Sequence, residues 1–191
     1  PYIYQGEELG MTNAHFTTIE EYRDVESLNY YQILLENGKS EEEALHILSE
    51  RSRDNSRTPM QWSAEKNAGF SQAEPWIEVQ KNYKTINTEA EEKESDSILN
   101  FYKKLIQLRK ELPVIANGSI QFLDEESEGV ISYERELEGT KLVVLCNLCE
   151  EENKAAWQRE WGSYELLLGN YSDGKVDGTL RPYECKVLRS I

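Results

Sequence analysis

Ser95-Asp-Ser-Ile-Leu-Asn-Phe-Tyr-Lys-Lys-Leu-Ile-Gln-Leu-Arg-Lys-Glu-Leu-Pro113 separates two textures of sequence. Ile98, Tyr102, Leu105, Arg109 and Leu112 recur at helical spacing, Ser95 or Asp96 is placed to cap the helix, and Pro113 is placed to stop it. Downstream, short apolar runs are punctuated by Gly118, Gly129, Gly139, Gly162 and Asp173-Gly174. That spacing predicts strands over 119–124, 130–135, 141–148, 164–168 and 183–189, hence a small antiparallel β-sandwich.

Upstream, Thr17-Thr-Ile-Glu20-Glu21 holds overlapping capping boxes and Ser40-Glu-Glu-Glu43 another. They predict a helix from about residue 17 to Gly38 and a second one ending before Arg51-Ser-Arg-Asp-Asn-Ser-Arg57. Tyr2-Ile-Tyr4 is expected as a short buried strand. One strand with three helices cannot build its own sheet. Residues 1–112 are therefore expected to complete a sheet begun upstream, as the last βα unit of a parallel (β/α)8 TIM barrel, with residues 113–191 as the sandwich: α/β followed by all-β. A start on Pro1 with no initiator Met fits a fragment whose first partner is the upstream part of the same polypeptide.

Composition narrows the function classes. The net charge of −15 argues against a nucleic-acid backbone or an anionic membrane as partner. Four Trp and eleven Tyr are too many for a disordered chain. The aromatics also bear on 58–94, where periodicity fades among Pro59, Trp62, Gly69, Phe70, Pro75, Trp76 and Tyr83. So long a loop is functional or disordered, and its aromatics need a packing surface. Cys146-Asn-Leu-Cys149 has the C-x-x-C spacing, but a strand-like run precedes it instead of a helix start, and His15 and His46 are remote from Cys185. Ordinary free thiols, no metal and no cofactor are expected, and free thiols suggest a cytoplasmic setting.

Three sets of residues are candidates for chemistry. Glu7 and Glu8 follow the predicted strand, on the catalytic face of a barrel. Adjacent side chains at a strand end diverge, however, and a retaining pair must flank one bond at about 5 Å; packing or hydrogen-bonding roles are expected for both. Glu26 lies in an acidic helix and, by itself, reads as a solvated residue. Arg53-Asp54-Asn55-Ser56-Arg57 is open to two readings: a guanidinium fork for hydroxyls, or cations at a helix C-terminus.

Pro1-Tyr-Ile-Tyr-Gln-Gly-Glu-Glu-Leu-Gly-Met-Thr-Asn13, Tyr22-Arg-Asp-Val-Glu-Ser-Leu-Asn29, Ser52-Arg-Asp-Asn-Ser-Arg-Thr-Pro-Met-Gln-Trp62, Asn67-Ala-Gly-Phe70, Glu74-Pro-Trp-Ile77 and Leu180-Arg-Pro-Tyr-Glu184 occur in this order. Together they resemble the C-terminal third of bacterial α-glucosidases of the α-amylase superfamily, in the oligo-1,6-glucosidase and trehalose-6-phosphate hydrolase branch. Val25-Glu-Ser-Leu-Asn29 and Ser56 look closer to the trehalose-6-phosphate hydrolases. The resemblance implies a retaining two-carboxylate hydrolase of small α-glucosides. It also implies that the catalytic carboxylates stand upstream, leaving no catalytic residue here. Arg53 resembles the arginine that binds the non-reducing-end glucose in the −1 subsite, and Glu26 the residue that contacts the +1 sugar. A rival of another class is a carbohydrate-binding or structural module with surface aromatics.

Overall fold

A computed structural model describes residues 2–123, 127–155 and 161–191. They form two compact units, Pro1–Tyr102 and Lys103–Ile191.

The first unit is built on two helices, α1 (Val25–Glu36) and α2 (Glu41–Arg51). The second helix starts as its capping box predicts: Glu43 N donates to Ser40 Oγ at 3.2 Å and Ser40 N to Glu43 Oε2 at 3.0 Å. Between the helices Gly38 takes φ 82°, and Lys39 N closes on Leu34 O at 3.0 Å. Tyr31, Leu34, Ala44 and Leu48 join Phe16, Tyr22 and Ile77 in one buried cluster.

Two expectations for this unit need correction. The helix predicted from residue 17 begins only at Val25. Glu21 Oε2 does accept from Thr17 N and Thr18 N, but the box closes a single turn, Ile19–Glu21. The amides of Arg23 and Asp24 are instead bound by Asp54, so the backbone gains nothing by coiling there. Residues 2–4 form no strand, and Ile3 and Tyr4 are 46% and 56% exposed. A strand needs a ladder partner, and this unit contains no other strand among the described residues.

The 58–94 segment is folded, through short turns and α3 (Thr88–Lys93). Thr88 N and Glu89 N return to Gln61 O and Trp62 O at 2.9 and 3.1 Å. In the Lys66–Gly69 turn, Asn67, Ala68 and Gly69 all have positive φ, at 54°, 55° and 67°. Asn67 Nδ2 holds this turn by donating to Ser71 O and Ala73 O.

Helix α4 (Ile98–Glu111) spans the division between the units. Ser97, not Ser95 or Asp96, caps it: Asn100 N donates to Ser97 Oγ at 3.2 Å. Pro113 does not simply end helical structure, because it opens α5 (Pro113–Asn117) in the first-turn position where its missing N–H costs nothing.

The second unit is the expected antiparallel domain. Strands β1 (Ser119–Phe122), β2 (Val130–Leu137), β3 (Thr140–Asn147), β4 (Asn153–Lys154), β5 (Tyr164–Gly169), β6 (Thr179–Leu180) and β7 (Cys185–Ser190) arrange as β1-β2-β3-β7-β5 and a separate β4-β6 pair. Residue 124 of the first predicted strand lies outside the described residues. Glu138 and Gly139, at φ 50° and 85°, make the tight β2–β3 turn, whose left-handed positions suit glycine. Val130, Val143, Leu145 and Leu188 from the large sheet pack with Ala155 and Leu180 beside the small one. That shared cluster is the sandwich core.

Candidate functional site

The Arg53–Ser56 turn follows α2, and its own side chains hold it in place. Ser52 Oγ accepts from Asp54 N at 3.1 Å and lies 2.8 Å from Ser27 Oγ. Asp54, fully buried, takes the amides of Arg23 and Asp24 on Oδ2 at 2.6 and 2.8 Å. Its Oδ1 lies 3.6 Å from Arg57 Nη1, beyond a good hydrogen bond but within ion-pairing reach. Asn55 donates to Ser49 O at 2.8 Å and accepts from Ala14 N at 3.1 Å.

Asp24 ties this turn to the start of α1. Its Oδ2 caps the helix by accepting from Ser27 N and Ser27 Oγ, both at 3.0 Å. Its Oδ1 accepts from Arg57 Nη1 at 3.2 Å. Burial pushes the Asp24 carboxyl upward, but the Ser27 donors and Arg57 outweigh it and hold the pKa below the ordinary aspartate value. Asp24, Ser27, Ser52, Asp54 and Arg57 thus fix the start of one helix against the end of the other.

Arg53 and Glu26 project from this frame and meet: Nη2 to Oε2 is 2.6 Å. Their side chains are 64% and 68% exposed. A pair so open to water contributes at most about 1 kcal/mol to stability, so its charges remain available to a ligand. Both residues line a cleft of about 600 Å³, with Asp24, Tyr30, Ile33 and Arg51 among its other walls. The two site residues singled out from sequence are therefore brought together as an ion pair.

Glu7 and Glu8 are engaged elsewhere. Glu7 Oε1 accepts from Tyr102 OH at 2.6 Å and Oε2 from Tyr4 N at 3.2 Å. Glu8 Oε2 accepts from Gly6 N at 2.8 Å. The Tyr102 and Tyr4 donors lower the Glu7 pKa, while burial and that same bond push the Tyr102 phenol up to about 12. Gly6 and Gly10 bracket the Glu7–Leu9 turn at φ 91° and 64°, and a Cβ on Gly6 would stand 2.6 Å from Met11 Sδ.

Sequence reasoning missed the roles of Asp24 and Asp54. The only available signal was that each directly follows an arginine, Arg23 and Arg53, with serines nearby, which does not reveal that the two segments dock on each other. No group of three or more His, Cys, Asp or Glu able to hold a metal occurs among the described residues. No helix there is long and apolar enough to cross a membrane.

With this geometry in view, the comparisons with known proteins are consistent from end to end. The family profile described as "Alpha amylase, catalytic domain" matches residues 1–118. The trehalose-6-phosphate hydrolase of Escherichia coli (strain K12) is 46% identical over 96% of this chain, a span that covers 34% of that protein. The oligo-1,6-glucosidase of Bacillus cereus is 42% identical over 99% of this chain and 35% of its own length. Among solved structures, the Bacillus licheniformis trehalose-6-phosphate hydrolase (TreA) superposes with a TM-score of 0.93 at 45% identity, covering 99% of this chain and 35% of that one. The chain spans about a third of the length of the curated relatives it matches.

Proposed function

Because the chain belongs to the α-amylase family, we propose that it forms part of a retaining α-glucosidase that hydrolyses terminal α-glucosidic bonds of short sugars, as a trehalose-6-phosphate hydrolase. One observation carries this reading: the pinned turn that presents Arg53 beside Glu26 at the edge of a cleft. A planar, permanently charged guanidinium with a carboxylate at its side is a rigid polar wall for sugar hydroxyls. In this reading Arg53 binds the non-reducing-end glucose in the −1 subsite and Glu26 contacts the sugar in the +1 subsite. The nucleophile, acid and ring-holding carboxylates of the retaining mechanism come from outside this segment.

Residues 1–112 then belong to the catalytic barrel and 113–191 to the β-sandwich, an assignment supported by the profile match to residue 118. The reading places the enzyme in the cytoplasm, supported by the three free cysteines. A second substrate reading, oligo-1,6-glucosidase, is favoured by the 42% identity to the Bacillus cereus enzyme. Comparing kcat/KM on trehalose 6-phosphate and isomaltose in a full-length enzyme carrying this chain separates the two. Preference for isomaltose would overturn the first.

Two outcomes are expected at this level. The chain by itself should leave p-nitrophenyl α-glucoside unhydrolysed, since Glu7 and Glu8 are committed to local hydrogen bonds. Turnover above that of a mock preparation would contradict the absence of catalytic carboxylates. Tight glycan binding by the inactive chain would instead favour the carbohydrate-binding module.

Glu26→Gln should change stability by less than about 1 kcal/mol, because the pair it breaks is solvent-exposed. In a full-length enzyme it should weaken discrimination between leaving groups more than it lowers aryl-glucoside hydrolysis. Equal loss on every substrate would make Glu26 a residue of the fold and not of the +1 subsite.

A further inference from the structure

The second unit carries a pair of thiols that the proposed hydrolysis does not use. Cys146 on β3 and Cys185 on β7 are direct partners in the antiparallel register. Their sulfurs lie 3.1 Å apart. The C-x-x-C spacing would nominate Cys149 as the partner of Cys146, but the Cys149 sulfur packs over Gly129, where an added Cβ would stand 2.2 Å from it.

The ladder geometry favours a bridge between Cys146 and Cys185. One step along, Asn147 N donates to Glu184 O at 2.8 Å, which makes that position hydrogen-bonded. The Cys185 N–H and C=O are bound on the other side, to Asn170 Oδ1 at 2.8 Å and Asn170 N at 3.4 Å. Cys146 and Cys185 therefore form a non-hydrogen-bonded pair, the kind whose Cα atoms approach to about 4.5 Å. Disulfides span Cα separations of about 4.4–6.8 Å, so a bridge fits this site at the short end of the range. Strained or exposed bridges are the readily reduced ones.

We propose that Cys146 and Cys185 form a reversible thiol–disulfide modification site, closed by exchange with a low-molecular-weight disulfide such as glutathione disulfide. The Cys146 thiolate attacks one sulfur of the small disulfide, breaking its S–S bond and releasing a thiolate that takes up a proton. Cys185 then loses its proton and attacks the Cys146 sulfur of the mixed disulfide, expelling the second small thiol. Two protein thiols are oxidised to one disulfide, and one small disulfide is reduced to two thiols.

The electrostatics agree with this division of roles. The hydrogen bond between the two thiols lowers the Cys146 pKa, and the same interaction, with burial, pushes Cys185 up. Both sulfurs belong to half-buried residues, which leaves a partial path for a small reagent. They share the sheet face opposite Val143, Leu145 and Leu188, with Leu142 and Val187 beside them on their own face, so a bridge forms without displacing the cluster between the two sheets.

The test is thiol counting on the full chain, before and after incubation with glutathione disulfide and again after dithiothreitol. The titratable thiols should fall from three to one and return to three. Tryptic mapping of the oxidised protein should recover one cross-linked species joining the peptides of Cys146 and Cys185. Cys149→Ser should lose two thiols just as the parent does, whereas Cys185→Ser should form no internal bridge. No loss of thiols, stable mixed disulfides without a bridge, or a bridge through Cys149 would overturn the proposal. The mapping on the unsubstituted chain decides the matter even if a variant fails to fold.

Discussion

Arg53→Lys in an active full-length enzyme carrying this chain is expected to lower kcat/KM about ten- to a hundredfold with little change in thermal stability. A hydrogen bond to a charged group is worth about 1.5–3 kcal/mol, and each 1.4 kcal/mol or so is tenfold in rate. Lysine keeps the charge and loses the fork, so the variant reads the value of geometry over charge. Stability should hold because the Arg53 side chain is largely solvated and its ion pair with Glu26 is exposed. Arg57 is the internal comparison. It bridges Asp24 and Asp54, so Arg57→Lys should act on the melting temperature before it acts on substrate.

Asp54→Ala is expected to have the largest effect on folding. The carboxylate is fully buried and is the acceptor for two backbone amides, those of Arg23 and Asp24. Removing it strands both donors and deprives Arg57 of one partner. Breaking a buried, hydrogen-bonded charge costs about 3–5 kcal/mol. Since Arg57 is 40% exposed and can rehydrate, the lower end of that range is expected. Urea unfolding of the intact polypeptide measures it. A loss below about 1 kcal/mol would mean that Asp54 does not hold the turn. Asp54→Asn keeps one carbonyl acceptor and should recover part of the loss.

These two neighbours show what the sequence discloses and what it withholds. The strands of the second unit were legible because alternation, glycine punctuation and turn residues are local signals, and β2, β3, β5 and β7 lie within a few residues of where those signals place them. The start of α2 was legible for the same reason, since both bonds of its capping box join residues three apart. The start of α1 was not. Its competing bond comes from Asp54, some thirty residues away, and a propensity argument has no access to that contact.

The site divides along the same line. Arg53 and Glu26 were found by resemblance to family motifs, and their mutual ion pair emerged only when the fold brought the two segments together. Asp54 and Asn55, which composition groups with Arg53 as one polar run, turn inward and hold the turn. The proposed domain boundary falls after residue 112, and the compact units divide inside α4. No residue of that helix is buried, and its apolar stripe, including Ile98 and Ile106, stays exposed. The thiol pair shows the opposite limit: a C-x-x-C spacing points along the chain, while the sheet register points across it.

In the proposed reading the pinned turn aims Arg53 at the non-reducing end of a bound sugar. A crystal structure of a full-length enzyme carrying this chain, with glucose in its pocket, tests it most directly through the distance from the Arg53 guanidinium to the nearest sugar hydroxyl. A direct hydrogen bond of about 2.7–3.2 Å is expected, with the turn held by Asp54. A guanidinium directed into solvent, away from a sugar that is bound elsewhere, would contradict it.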